Sequence, residues 1–256
     1  MDGMGTVPYV FARLQRLGIM ASLAVFGAVA AIALATDAGA AKVTVLGAAR
    51  PVKPACPNNC QVLARVTGFQ TAIAGQKKPF LAPFPGRIVA WSIKLGRPEA
   101  KDYNCLTDGC GSFPSFGEPK ARLAVLKPLR KEIRAGRPLY RLVRQSPVED
   151  LKPFLGTTTT FTLQNPLKIA EGQIVALSAP TWAPAFAVNM GLNSGWRGSR
   201  KRKRCADTTD SKVNAQQARA GRAHQAVRTN RIYGCAYRAA RVLYSATLVK
   251  RPTTKK

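Results

Sequence analysis

Proline and glycine cut the chain from Gln61 to Val249 into short apolar runs, and this punctuation narrows the fold more than any other feature. The clearest run is Arg87 to Leu95. Val89, Trp91, Ile93 and Leu95 alternate there with Ala90, Ser92 and Lys94, which predicts a half-buried strand opening after the Pro85-Gly86 turn. Val242, Tyr244, Ala246 and Leu248 alternate in the same way with Leu243, Ser245, Thr247 and Val249, in a strand expected over 241–249. Both of these faces are largely apolar, so this strand is expected inside a sheet. Further strands are expected over 61–67, 120–127, 139–145, 158–164, 173–178 and 185–190. Thr157 to Thr162 favours extended backbone because β-branched side chains fit a pleated surface. Glu171-Gly172 marks a tight reversal. The runs do not alternate with long helices, which argues against a parallel α/β sheet. The expectation is all-β: a single antiparallel β-sandwich over 56–249.

The N-terminus sets the compartment. Arg13 and Arg16 precede an apolar stretch, and no charge interrupts the 20 residues from Leu17 to Thr36. Small residues at Ala38-Gly39-Ala40 complete the pattern of a secretory signal peptide over 1–40. The same stretch is long enough to stay uncleaved as a helical membrane anchor. Either reading puts the rest of the chain outside the cytoplasm. Residues 41–55, with Pro51 and Pro54, read as a linker, and 250–256 as a basic tail.

The compartment gives the cysteines their meaning. Cys56, Cys60, Cys105, Cys110, Cys205 and Cys235 all follow the leader, and an even count in an exported chain reads as disulfides. Six cysteines allow 15 connectivities. Local pairing, 56 with 60, 105 with 110 and 205 with 235, is the simplest. Zinc is disfavoured, because the spacings are not C-x2-C and His224 is the only histidine.

Charge is the other strong signal. The chain carries a net +28, and the first 40 residues contribute zero, leaving 38 bases against 10 acids. Such an excess favours polyanionic partners. It peaks at Arg200, Lys201, Arg202, Lys203 and Arg204, inside an insertion over 197–232. Five consecutive like charges stay solvated and await a counter-charge. Ser211 to Arg228 in that insertion carries helix formers and an N-cap candidate at Ser211. A second insertion, 97–118, holds Cys105 and Cys110. Both are expected to be long disulfide-bearing loops.

The runs Pro85 to Trp91, Ala121 to Leu126, Thr160 to Leu177 and Tyr233 to Ala246 together resemble uncharacterised exported bacterial β-sandwich proteins of jelly-roll type. The resemblance covers roughly 60–249 and implies a fold and an exported location. It brings no catalytic residue and no ligand.

Catalytic chemistry has little to draw on. A Ser-His-Asp or Cys-His site would need His224, and Ser194 in Gly191 to Gly195 stands one place late for G-x-S-x-G. Glu149 and Asp150 are adjacent and would point to opposite faces of a strand, while Glu118, Glu132 and Glu171 stand alone. Asp102, Asn104 and Asp108 depart from the EF-hand calcium spacing, and an Asx-stabilised turn is the better account. No cofactor motif occurs. The sequence therefore points to a non-enzymatic protein attached at the cell envelope to an anionic polymer, a polysaccharide or an anionic lipid surface. Trp182, Trp196 and Tyr233 are candidates for stacking on sugar rings. The leader disfavours intracellular nucleic acid, and a membrane partner depends on its remaining uncut. The competing readings are a polysaccharide-active enzyme using paired carboxylates and a structural envelope protein with no small ligand.

Overall fold

The computed structural model describes residues 41–111, 114–201, 205 and 224–250. The leader lies outside them, as do Arg202, Lys203, Arg204, most of the helical candidate Ser211–Arg228 and the basic tail after Lys250. The strands are β1 (Val43–Leu46), β2 (Leu63–Ile73), β3 (Gln76–Lys77), β4 (Gly86–Lys94), β5 (Lys120–Pro128), β6 (Leu139–Gln145), β7 (Glu149–Asp150) and β8 (Thr158–Ile169). They continue as β9 (Ile174–Ala183), β10 (Phe186–Val188), β11 (Gly195–Gly198), β12 (Asn230–Ile232), β13 (Cys235–Arg238), β14 (Ala240–Val242) and β15 (Tyr244–Lys250). Among the described residues, two short helices, α1 (Ala100–Asp108) and α2 (Arg130–Arg134), and one 3-10 turn at Lys152–Phe154 interrupt them.

The protein is mostly β, and every pairing among the described strands is antiparallel. The smaller sheet runs β1-β15-β4-β8. The larger runs β12-β6-β5-β9-β2-β11-β13, with β3 added beside β2 and β7 beside β5, and β10 pairs with β14 separately. One apolar cluster draws on both sheets: Ile88, Trp91 and Ile93 of β4 and Leu248 of β15 share it with Leu123 and Val125 of β5 and Leu177 of β9. Each such side chain contributes about 1.5–3 kcal/mol by leaving water. Tyr244 ties the sheets further, stacking on Phe80 with ring centroids 4.1 Å apart and donating its hydroxyl to the Val175 carbonyl at 3.0 Å. A second cluster, on the other face of the larger sheet, gathers Phe69, Leu126, Tyr140, Leu142 and Tyr233.

Most expected strands are present, with four corrections. The alternation holds for Trp91 and Ile93 of β4 and for Leu95 just after it, but Val89 is only half-buried and Ile88 faces the core instead. A register shift between Ile88 and Ala90 against β8 accounts for this, since one extra residue reverses the facing of everything before it. The run 241–249 is not one strand. Val242 ends β14 and Tyr244 begins β15, in different sheets, and Leu243 between them donates its amide to the Ala185 carbonyl. The segment 41–55 is not wholly linker, because Val43–Leu46 pairs with β15 at the sheet's edge. Gly47 follows with φ of 75°, and a Cβ there would run into the Phe80 ring. The insertion 97–118 is not a simple loop, since Ala100–Asp108 is helical. Asp102 and Asn104 lie within this helix two residues apart, so they do not face each other as a shared oxygen-ligand set, and helix replaces the expected turn there.

All three disulfides follow the local pairing: Cys56 with Cys60, Cys105 with Cys110, and Cys205 with Cys235. The third ties the basic insertion to β13 and closes a 30-residue separation. On the chain-entropy model its removal costs about 3–4 kcal/mol. The double variant Cys205→Ser/Cys235→Ser is therefore expected to lower the urea midpoint, with a somewhat steeper slope because the unfolded chain is no longer cross-linked. An unchanged midpoint would show that the pairing does not constrain the unfolded chain.

Candidate anion-binding surface

Among the described residues the strongest concentration of accessible charge lies on the β5–β6 hairpin. From Lys127 to Arg144 the chain has seven bases, Lys127, Arg130, Lys131, Arg134, Arg137, Arg141 and Arg144, and one acid, Glu132. Pro128, Gly136 and Pro138 shape the connection, and α2 occupies its middle. All seven bases are exposed. Arg137 pairs with Glu132 at 2.6 Å, and among the described residues none of the other six is ion-paired. Lys127 and Arg141 are direct cross-strand partners. Like charges placed so are destabilising. Arg144 lies further along β6, past a register shift, where it opposes Val125.

The return of the basic insertion runs beside this hairpin. Asn230 pairs with Arg141, Arg228 donates its amide to the Leu142 carbonyl at 2.9 Å, and the Leu142 amide donates to the Thr229 carbonyl at 3.0 Å. Exposed Arg228 therefore extends the hairpin's charge. The segment is fixed by Gln225, which is fully buried. Its amide donates to Thr67 Oγ1 (3.0 Å), and its Nε2 to the carbonyls of Tyr140 (3.1 Å) and Thr229 (2.6 Å). Its Oε1 accepts the Tyr233 hydroxyl (2.7 Å), and burial pushes that phenol well above its ordinary value. Thr67 continues the network to Ser178 Oγ at 2.9 Å, and the Thr67 amide donates to Ser199 Oγ at 3.0 Å. These hydrogen bonds satisfy polar groups that would otherwise be stranded in the core.

The sequence-predicted residues separate on this frame. Arg200 is half-buried and donates NH2 to the Ala64 carbonyl at 2.7 Å. Burial lowers its guanidinium below its ordinary value, with Tyr237 acting the other way. It anchors the insertion and is not a solvated polyanion contact. Lys201 is exposed, and Arg202, Lys203 and Arg204 lie outside the described residues. The segment His224–Arg228, the end of the helical candidate, is a bend and turn without helix.

Trp182, Trp196 and Tyr233 are core residues, which corrects their reading as carbohydrate platforms. Trp182 is edge-on to Tyr103 and donates Nε1 to the Gly117 carbonyl at 2.7 Å. Trp196 stacks on Tyr237 at 4.4 Å, and Tyr233 packs against Phe69 and Tyr140. None of these rings offers a free face to a sugar.

Glu118 has partners that its isolation in sequence concealed. It accepts the Tyr103 hydroxyl and pairs with Lys152 at 2.8 Å. The hydrogen bond from Lys152, then that from Tyr103, hold its carboxyl below the ordinary range. A lowered carboxyl stabilises at pH above its ordinary value and loses that contribution as pH falls through the folded value. The effect is small, because both groups are solvent-exposed. We expect a near-ultraviolet circular-dichroism change around Trp182 with a midpoint below the ordinary carboxylate range, absent from Glu118→Gln. A change that persists in that variant would assign it to another group.

No protein-family model matches the chain, and neither a curated protein nor a solved structure matches it.

Proposed function

We propose that this is an exported, non-catalytic protein, a β-sandwich of jelly-roll type, that attaches to an anionic polymer of the cell envelope through its β5–β6 hairpin. The observation that carries the reading is the six exposed bases of the hairpin with no ion-pair partner among the described residues, two of them directly opposed across strands. The arrangement suits a distributed line of negative charge better than a single small ligand, and the return segment adds Arg228 beside it. Three disulfides are in keeping with an oxidising compartment. Among the described residues no helix is long and apolar enough to cross a membrane, so the anchoring alternative rests on the leader.

The test is retention of the purified protein on isolated envelope polymer as salt is raised. Binding dominated by charge falls linearly in log–log form with salt. Retention that does not vary with salt would overturn this reading, and absence of retention at low salt would favour a structural role without a ligand.

A further inference from the structure

We infer that the cleft beside Arg241 is a binding site for one oxyanion group, a carboxylate or a phosphate, with Arg241 as its principal ligand. The cleft has a volume of about 140 Å³ and lies between the segment after β1, the end of β4, the start of β8 and the β14–β15 junction. Arg241, Lys94, Ser92, Thr158 and Ser245 line it. Two are cations, three carry hydroxyls, and no carboxylate is among the lining residues.

Arg241 itself is the unusual element. It is 8% exposed. Among the described residues its side chain makes one hydrogen bond, from NH1 to the Arg50 carbonyl at 2.6 Å. Its Nε is buried with no partner among the described residues. A guanidinium is a planar fork of five donors that cannot shed its charge at ordinary pH. Burying it against one carbonyl, with a donor unsatisfied, leaves most of the desolvation cost uncompensated. Burial alone draws its pKa below the ordinary value, so no neighbouring acid offsets it. An oxyanion in the cleft would accept from the fork and supply the missing charge.

The dimensions fit such a group. A cavity of roughly 150 Å³ holds benzene, so this cleft takes a phosphate or a carboxylate with a few attached carbons. A whole polymer does not fit, but a chain end or a pendant acid group does. The site shares no residue with the β5–β6 hairpin, so the two can be tested separately.

The experiment is calorimetric titration of the full mature protein with acetate, glucuronate and inorganic phosphate as separate arms, with chloride as the control anion. Saturable binding in one oxyanion arm and none with chloride is expected. That arm identifies the group as carboxylate or phosphate, and glucuronate above acetate identifies a sugar-borne acid. Arg241→Met is expected to weaken binding about 10- to 100-fold, the loss of one charge-assisted hydrogen-bonding partner. Arg241→Lys, which keeps charge without the fork, should recover only part. Should Arg241→Met not fold, Lys94→Met and the Arg241 Nε–H resonance of wild-type protein provide the readout. The expected result is weaker binding in the first and a saturable shift of the second. No saturable binding by wild-type protein in any oxyanion arm, an unmoved Nε–H resonance, or equal binding by Arg241→Met would overturn the site, leaving Arg241 as a clip for the Arg50 carbonyl.

Discussion

Gln225→Leu is expected to destabilise the protein by about 2–4 kcal/mol. The change nearly conserves volume, so a cavity is not the cause. What it removes is one acceptor and one doubly used donor, all buried. The Tyr233 hydroxyl then loses its Gln225 acceptor and the Tyr140 carbonyl its side-chain donor, while the Thr229 carbonyl keeps the Leu142 amide. Each stranded buried group costs about 1–3 kcal/mol, and two together give the stated range after partial relaxation. The reference point is a folding free energy of only about 5–15 kcal/mol, so a large share of stability is at stake. Denaturant titration reads it directly. The double variant Gln225→Leu/Tyr233→Phe removes the stranded hydroxyl and should regain about 1–2 kcal/mol over Gln225→Leu alone. Additive losses in that cycle would show that the Tyr233–Gln225 hydrogen bond is not the coupling element.

The same residues show where reading the sequence succeeds and where it stops. The strand at Arg87–Leu95 was legible because its period is local, and so was the Glu171-Gly172 reversal between β8 and β9. The facing of Val89 was not, because the register shift beside it depends on how β8 pairs. The pairing of the cysteines followed from proximity along the chain. Val43–Leu46 was invisible as a strand because its partner β15 lies about 200 residues away in sequence and the run itself is only four residues long. Tandem charge drew attention to Arg200–Arg204, yet the first of these is a half-buried anchor. Among the described residues the hairpin carries the densest accessible charge, but interleaved with Pro, Leu, Tyr and Val it forms no block. A sliding count of bases minus acids over 127–144 would have exposed it. Aromatic residues near a basic run were poor guides to a ligand, because Trp182, Trp196 and Tyr233 complete the core.

The hairpin makes a prediction in which binding and stability move in opposite directions. Replacing Lys127, Arg130, Lys131, Arg134, Arg141 and Arg144 with Ser should weaken retention on envelope polymer by at least about 100-fold at low salt. The slope of log retention against log salt should flatten, since each base that neutralises a charge on a dense polyanion adds about 0.7–0.9 to its steepness. Stability should not fall with it. Exposed substitutions usually change folding by under about 0.5 kcal/mol, and here the Lys127–Arg141 repulsion is relieved. A companion variant carries Ser at Lys201, Arg202, Lys203 and Arg204 but keeps Arg200, whose loss would unpair the Ala64 carbonyl and confuse folding with binding. If the hairpin is the principal attachment point, this companion retains most of the affinity. The reverse ranking would move the interface to the basic run. Equal retention by wild type and both variants would remove charge from the attachment altogether. Opposed like charges with no acid between them are a standing cost to the fold, and a bound polyanion is the condition under which they become favourable.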